Sequence, residues 1–278
     1  MYQTKLCTNI NGGYGIDAAD QIRLFHDIGF ECFFTGYDQR LGEYRELAET
    51  LGMHYQSVHA PFGKIDSLWT GNGAEEIEKV LLQCVNDCAD VGVPIMVCHA
   101  YIGFLPSAGP NEQGIERFRR IVEAAAARGL KVAFENTEGE EYLAALMNAF
   151  IGYENVGFCW DTGHELCYNY GKDMTALYGD RLFCTHLNDN LGIRNYDGTI
   201  TWRDDLHLLP FDGINDWQSI ADRLNRHGYT GELTFEMGRG CAPGRHDKDK
   251  YNRMSIEEFL CEVYARACRV ATLKNRGK

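Results

Sequence analysis

Eight short apolar runs alternate with amphipathic segments along this chain of 278 residues, and such alternation indicates repeated strand and helix units around a parallel sheet. The runs are Lys5–Ile10, Phe30–Thr35, Tyr55–His59, Ile95–His99, Lys131–Glu135, Val156–Asp161, Leu182–His186 and Glu232–Glu236. Because no strand-like run is left over, closure into a barrel is favoured over an open sheet, and barrels of this kind commonly take about 250 residues. No Pro/Ser-rich or low-complexity stretch divides the chain. The sequence therefore predicts one domain over residues 1–278, a closed (β/α)8 barrel of the α/β class.

The helical segments carry recognisable end signals. Asp17 precedes AADQIRLFHDI as an N-cap, and Gly29 ends that segment, as expected for a glycine in the left-handed conformation after a helix. In the last segment, Ser255 is followed three residues later by Glu258, which is the spacing of a capping box. These signals support helices between the strands.

Polar side chains end the last four of the apolar runs. They are Glu135 in VAFE, Asp161 in FCWD, His186 in FCTH and Glu236 in LTFE. Since side chains alternate along a strand, these residues share a face with small residues, whereas the opposite face carries large aromatic ones: Phe134, Phe158, Trp160, Phe183 and Phe235. Aromatic groups packed outward against helices, with small groups inward beneath polar ends, suit a barrel with a site at its C-terminal mouth. Oxygen and nitrogen ligands delivered one per strand predict a divalent-metal site there.

Five further polar residues belong to the same predicted rim: His59, His99, His164, Asp205 and His207. An imidazole beside a metal serves either as a ligand or as a donor to substrate, so His59 and His99 are expected to line the pocket rather than pack in the core. The spacing of Asp205 and His207 suits a second metal ion. The same DxH motif equally suits hydrogen bonds that order a long loop.

The net charge of the chain indicates which class of ligand the protein binds. The formal net charge of -13 repels polyanions and argues against nucleic acid, which leaves a small-molecule substrate as the expectation. One basic stretch, GRGCAPGRHDKDKYNR after the eighth run, offers a phosphate site near the last barrel loops. Its interleaved aspartates equally fit a solvated loop of mixed charge.

The N-terminus shows no secretion signal, and no apolar run reaches membrane-spanning length, so a cytoplasmic protein without a membrane partner is expected. Several of the eleven cysteines lie inside apolar runs, where a buried thiol acts as a small hydrophobe and stays reduced. Because the chain has no CxxC pair, a thiolate zinc site has little support from the spacing.

Taken in order, the polar strand ends make this sequence resemble the xylose-isomerase-like TIM barrel superfamily over nearly the whole chain. That superfamily holds sugar and sugar-phosphate isomerases and epimerases, inosose dehydratases and the endonuclease IV group. The resemblance implies a TIM barrel with a metal centre at its mouth, and a homo-oligomer, since dimers and tetramers are usual in these families.

The ketose 3-epimerase branch of that superfamily holds one divalent metal by Glu, Asp, His and Glu from the last four strands, which correspond to Glu135, Asp161, His186 and Glu236. The resemblance implies that Glu135 and Glu236 are also the catalytic pair that transfers the proton. The resemblance also implies substrate contacts from His164, Glu141 and Arg194, in addition to the pocket residues His59 and His99. Glu138 and Glu140 are neighbouring candidates for the role of Glu141. The branch has its arginine at the position of Gly192, and Arg194 lies close to it.

The endonuclease IV branch uses three zinc ions, and all nine of its ligands have counterparts here in order, which implies that the chain holds more than one ion. The counterparts are His59, His99, Glu135, Asp161, His164, His186, Asp205, His207 and Glu236. Endonuclease action also needs several phosphate contacts from basic residues. The loops NTEGEEY, NDNLGIRNYDG and TWRDDLH are instead acidic or neutral.

Together these features predict a divalent-metal-dependent isomerase or epimerase of a sugar or sugar phosphate. The metal, which is manganese, magnesium, cobalt or zinc, would stabilise an enediolate while Glu135 and Glu236 move the proton. Loss of a β-hydroxyl from the same enediolate would make the protein an inosose dehydratase-type lyase. Two further hypotheses are an endonuclease IV-like zinc phosphodiesterase and a barrel that binds sugar or metal without turnover.

Overall fold

The chain forms a closed barrel of parallel strands. The structure, a computed structural model, describes residues 4–104, 108–195 and 198–276. Its strands are β1 (Leu6–Asn9), β2 (Cys32–Gly36), β3 (His54–His59), β4 (Ile95–His99), β5 (Lys131–Glu135), β6 (Val156–Asp161), β7 (Leu182–His186) and β8 (Leu233–Phe235). They pair in the order β7-β6-β5-β4-β3-β2-β1-β8, and Leu187 closes the ring by a parallel bridge to Phe235. This confirms the predicted (β/α)8 barrel as a single domain.

Helices surround the barrel and fill its connections. They are α1 (Ala18–Ile28), α2 (Leu41–Leu51), α3 (Ser67–Thr70), α4 (Ala74–Asp90), α5 (Glu112–Ala127), α6 (Glu140–Ala149), α7 (Thr162–Cys167), α8 (Met174–Tyr178), α9 (Trp217–Arg226), α10 (Asp249–Asn252) and α11 (Ile256–Arg276). The Asp17 side chain caps α1, which ends at Gly29 with φ of 117°. Ser255 and Glu258 exchange the two hydrogen bonds of a capping box at the start of α11. Within the described residues, none of these helices has the length and apolarity needed to cross a membrane.

Apolar side chains form two layers separated by the sheet. Outward-facing aromatic residues such as Phe134, Phe158 and Trp160 belong to the large core between strands and helices. A second, smaller cluster of Ile95, Val97, Ala133, Cys159 and Cys184 lies inside the barrel. Because these inner residues are small or slender, space remains above them for polar groups at the mouth.

Two β-bulges interrupt the alternation of side chains. The register between β2 and β3 shifts between Phe33 and Phe34, which leaves Gln56 as the extra residue. The register between β6 and β7 shifts between Phe158 and Cys159, which leaves Phe183 as the extra residue. The side chain of an extra residue points to the face opposite to the one that strict alternation predicts. The expectation that Phe183 faces the helices is therefore wrong, because Phe183 packs against the inner cluster.

The bulge at Phe183 generates a prediction about stability. A Cβ atom on Gly157 would lie 2.5 Å from the Phe183 ring and 2.7 Å from the Arg181 carbonyl oxygen, so Gly157→Ala must push apart groups inside a packed barrel. We expect a loss of about 1 to 3 kcal/mol in the free energy of unfolding, measured by chemical denaturation. Gly152→Ala is the control, because nothing lies within 4 Å of its Cβ position, and it should change the free energy by less than about 0.5 kcal/mol. Equal stability of the two variants would contradict the bulge.

Candidate metal centre

Four side chains converge at the C-terminal mouth of the barrel. Glu135, Asp161 and His186 end β5, β6 and β7, and Glu236 directly follows β8. One ligand atom from each of the four lies within 4.8 Å of the others. Glu135, Asp161 and His186 are fully buried, whereas a fifth of the Glu236 side chain is exposed. The structure thus brings together the four residues that the sequence proposed as metal ligands.

The contacts among these residues are short and specific. Nδ1 of His186 lies 2.8 Å from Oε1 of Glu135 and 3.0 Å from Oε2 of Glu236. Asp161 accepts the backbone N–H of His164 at 2.6 Å through Oδ1 and the Asn188 amide at 2.8 Å through Oδ2. These bonds fix the orientation of the Asp161 carboxylate before any ligand binds.

Gly163 makes the contact of Asn188 possible. A Cβ atom at position 163 would lie 1.9 Å from Oδ1 of Asn188, which is far inside van der Waals contact. The DTGH motif therefore requires its glycine for a packing reason, since the Asn188 side chain passes directly over that residue to reach Asp161. The sequence patterns do not point to Asn188, and its place two residues after His186 is the only signal for it.

The donor set fits a divalent cation. Three carboxylates and one imidazole share this buried group, so like charges face one another where solvent screening is weak. Burial raises the pKa of Asp161 to about 7. Burial opposes the charge on Glu135 as well, but the imidazole of His186 holds the pKa of that carboxylate well below its usual range. A cation with two charges would relieve this excess of negative charge.

Two further groups of ligand atoms adjoin the first. The three side chains of His59, His99 and Glu135 form one, and those of His164, Asp205 and His207 form the other, each with ligand atoms within 4.8 Å of one another. Thus every residue proposed as an additional metal ligand lies next to the four-residue group.

In each of these groups, the hydrogen bonds of one histidine favour a proton or a metal ion between its Nε2 atom and a carboxylate oxygen. Nδ1 of His59 must donate to the Ala60 carbonyl at 2.9 Å, so that Nε2 faces Oε2 of Glu135 at 3.2 Å. In the same way, Nδ1 of His207 donates to the Glu236 carbonyl, and Nε2 faces Oδ2 of Asp205 at 2.8 Å. Two lone pairs at such distances repel each other unless a proton or a metal ion lies between them.

Several buried polar atoms at the mouth have no hydrogen-bond partner within the described residues. They are Nδ1 of His99, Nδ1 of His164, Nε2 of His186 and Oδ1 of Asp205. Buried polar atoms rarely remain without a partner. Their concentration here is the expected signature of a site that acquires ions, water or substrate.

A cavity of about 760 Å³ opens above these residues, and its size is that of a small-molecule site. Glu135, Glu236 and His164 reach its floor, and its aromatic walls come from Phe34, Phe62, Phe104, Tyr168 and Trp202. Polar groups at the floor and aromatic groups around it would suit a small ligand that has both hydroxyl groups and C–H faces.

Two of the proposed substrate-binding residues are not brought to this cavity. Glu141 is exposed on the first turn of α6, and Arg194 is exposed and paired with Asp247. Glu138, one of the neighbouring candidates, lines the cavity instead. Its carboxylate accepts the Gly103 N–H at 3.0 Å, and burial raises its pKa. Gly139, with φ of 73°, turns the chain at this point and directs the following residues away.

The fold and its mouth define a (β/α)8 barrel with a candidate divalent-metal centre. The chain belongs to the xylose isomerase-like TIM barrel family, whose sequence model matches residues 14–258. An uncharacterized protein of Sinorhizobium fredii, y4fM, is 35% identical over 170 residues, which cover 57% of this chain and 51% of that protein. The chain therefore matches about half the length of this curated relative.

Solved structures share the fold at low identity. An IolI protein described with a bound zinc atom superposes with a TM-score of 0.74 at 17% identity, covering 96% of this chain and 98% of that one. An L-ribulose 3-epimerase superposes with a TM-score of 0.71 at 15% identity, covering 98% and 96%. At such identities the likeness shows a common fold.

The contact of Asn188 with Asp161 generates a prediction about metal affinity. Asn188→Ala removes the hydrogen bond that orients this carboxylate, and loss of such a supporting partner typically weakens metal binding by about 10- to 100-fold. Titration of the metal-stripped protein with manganese or zinc measures the change. Asn155→Ala serves as the matched control, because its side-chain amide donates to the Val122 carbonyl, outside the centre. Equal affinity in both variants would contradict a role for Asn188 in orienting a metal ligand.

Proposed function

We propose that this protein is a divalent-metal-dependent isomerase or epimerase that acts on a sugar or sugar phosphate by proton transfer. The observation that carries the proposal is the position of Glu135 and Glu236, which flank Nδ1 of His186 and both line the 760 Å³ cavity. Two carboxylates on one substrate cavity supply the acceptor and the donor that such a reaction needs at a carbon next to a carbonyl.

Glu135, Asp161, His186 and Glu236 would hold the ion, which when bound supplies Lewis-acid polarisation of a substrate carbonyl. Glu135 is held on two sides, by His186 at Oε1 and by His59 at Oε2, so its carboxylate has a fixed direction. Glu236 is more exposed and keeps freedom to approach the substrate. Glu135 is thus the carboxylate of fixed position and Glu236 the more mobile partner.

The remaining cavity residues would bind and orient the substrate. His164 and Glu138 line the cavity and offer hydrogen bonds to hydroxyl groups. Phe34, Phe62 and Trp202 present ring faces and edges, which pack against the C–H faces of a sugar and exclude water from the reacting carbon. Family membership, and the epimerase and zinc-containing IolI protein among the structures of the same fold, support this assignment.

A second candidate, a zinc phosphodiesterase of the endonuclease IV type, is favoured by one observation. His59 and His99 on one side, and His164, Asp205 and His207 on the other, adjoin the four-residue group, so the centre has ligands for more than one ion. The charge of the molecule disfavours it, because a net charge of -13 repels a nucleic-acid backbone. A dehydratase, which would use the same proton acceptor, differs only in the bond that breaks after proton removal.

Solvent exchange tests the proposal. The protein is incubated in deuterated buffer with a panel of ketoses, inososes and their phosphates, and deuterium at the substrate carbon is measured by mass spectrometry. We expect wash-in that requires added divalent metal, and a decrease of at least about 100-fold in Glu135→Gln and Glu236→Gln, the scale of a lost general acid or base. Glu141→Gln is the matched control, since Glu141 is exposed outside the cavity, and it should retain the wild-type rate.

The same substrates and one further assay separate the candidate activities. Elimination products from an inosose would assign a dehydratase, and nicking of abasic duplex DNA at low salt would assign a phosphodiesterase. Ligand-induced stabilisation without exchange across the whole panel would contradict turnover and leave a binding protein. Metal analysis of the purified protein gives the number of ions in the same sample.

A further inference from the structure

A group of metal-ligand side chains lies at the opposite, N-terminal pole of the barrel. Cys32 and His54 begin β2 and β3 and pair in register, and Glu232 immediately precedes β8. One ligand atom from each of these three residues lies within 4.8 Å of the others. The His54 imidazole also contacts the Glu232 carboxylate at 2.8 Å. Three elements of the sheet thus place a thiol, an imidazole and a carboxylate together.

Cys7 places a second thiol beside this group. It lies on β1 in register with Cys32 and in the same buried cluster, but it is not one of the three residues whose ligand atoms lie within 4.8 Å of one another. Both cysteines are fully buried, whereas the side chains of His54 and Glu232 are 35% and 21% exposed. The group is therefore covered on the barrel side and open to solvent at the pole, which gives a metal ion a path of entry.

This polar group is separate from the metal centre at the mouth. The Phe34 side chain clusters with Cys7 and Cys32 on one side and stacks on the His186 ring on the other, with ring centroids 4.6 Å apart. A single aromatic ring thus lies between the two sets of ligands. No side chain is shared by the two groups.

We propose that Cys32, His54 and Glu232 bind one zinc ion, or a cation of similar ligand preference, at the N-terminal pole of the barrel. A thiolate, an imidazole and a carboxylate are all ordinary zinc ligands, and three protein ligands leave one position of a tetrahedral site for solvent. The coordinating thiol releases its proton to solvent, and the imidazole binds in its neutral form. The ion would join β2, β3 and the start of β8, which meet at this pole.

The local electrostatics favour the thiolate of Cys32. Interaction with the Cys7 thiol lowers the pKa of the Cys32 thiol, with His54 contributing in the same direction, and a lowered thiol pKa favours the form that binds a metal. Contact with Cys32 and then with Glu232 raises the pKa of His54 to about 9, so this imidazole must release its proton when the ion binds.

Cobalt(II) titration of the full-length, reduced, metal-stripped protein tests the proposal. Cobalt(II) bound to thiolate gives a charge-transfer absorption in the near ultraviolet, which oxygen and nitrogen ligands at the mouth do not produce. We expect the absorption at saturation to correspond to one thiolate-bound cobalt ion per chain, in addition to any cobalt bound at the mouth, and to be lost in Cys32→Ser. Zinc added afterwards should displace the cobalt and abolish the absorption.

Cys159→Ser is the matched control, because Cys159 is a buried barrel thiol beside Glu135 and His186 at the other centre. It should retain the absorption in full. The partly exposed His54→Gln and Glu232→Gln variants avoid a change in the core, and each should weaken cobalt binding at this site by at least about 10-fold. Absence of thiolate absorption at saturation, unchanged affinity in both exposed variants, or loss of the absorption in Cys159→Ser with retention in Cys32→Ser would overturn the proposal.

Discussion

Closure of the sheet between β7 and β8 is the constraint on which the mouth of this barrel depends. The Leu187 N–H donates to the Thr234 carbonyl at 2.7 Å, and the Glu236 N–H donates to the Leu187 carbonyl at 3.2 Å. These two bonds place Glu236, from the last strand in the chain, next to His186. In an open sheet of the same order, Glu236 would lie at the far edge from His186. The four-ligand group therefore exists only because the ring is closed.

The residues of this group were predictable because the alternation of side chains is regular where they lie. The observed bounds of β4, β5, β6 and β7 coincide with the predicted runs, and each polar residue stands at the end of its strand. The bulge at Phe183 was not predictable, since an extra residue is defined by the register with the partner strand rather than by local sequence. It precedes Cys184 in the chain, so it inverts one side chain at the base of the barrel and leaves the face of His186 unchanged.

Loops were harder to predict than strand ends. Counting residues from Glu135 led to Glu141, but the left-handed turn at Gly139 leaves Glu138 as the carboxylate that faces the cavity. Arg194 lies in a long connection, where its pairing with Asp247 depends on how two loops meet. The group at the N-terminal pole was missed for a related reason. The absence of a CxxC pair argued against a thiolate site, yet a closed barrel assembles ligands from the starts of separate strands, and their spacing in the chain carries no signal.

The two proposed metal centres differ in ligand chemistry, and the Phe34 side chain lies between them. The mouth offers mainly carboxylates and imidazoles around an open cavity, which suits a cation that exchanges ligands with a substrate. The pole offers a buried thiol with one imidazole and one carboxylate, which prefer a softer ion. The Phe34 ring contacts His186 on one side and the two cysteines on the other, so it lies between the two groups. A smaller side chain at this position would open a void between the two centres and weaken the separation of their ligands.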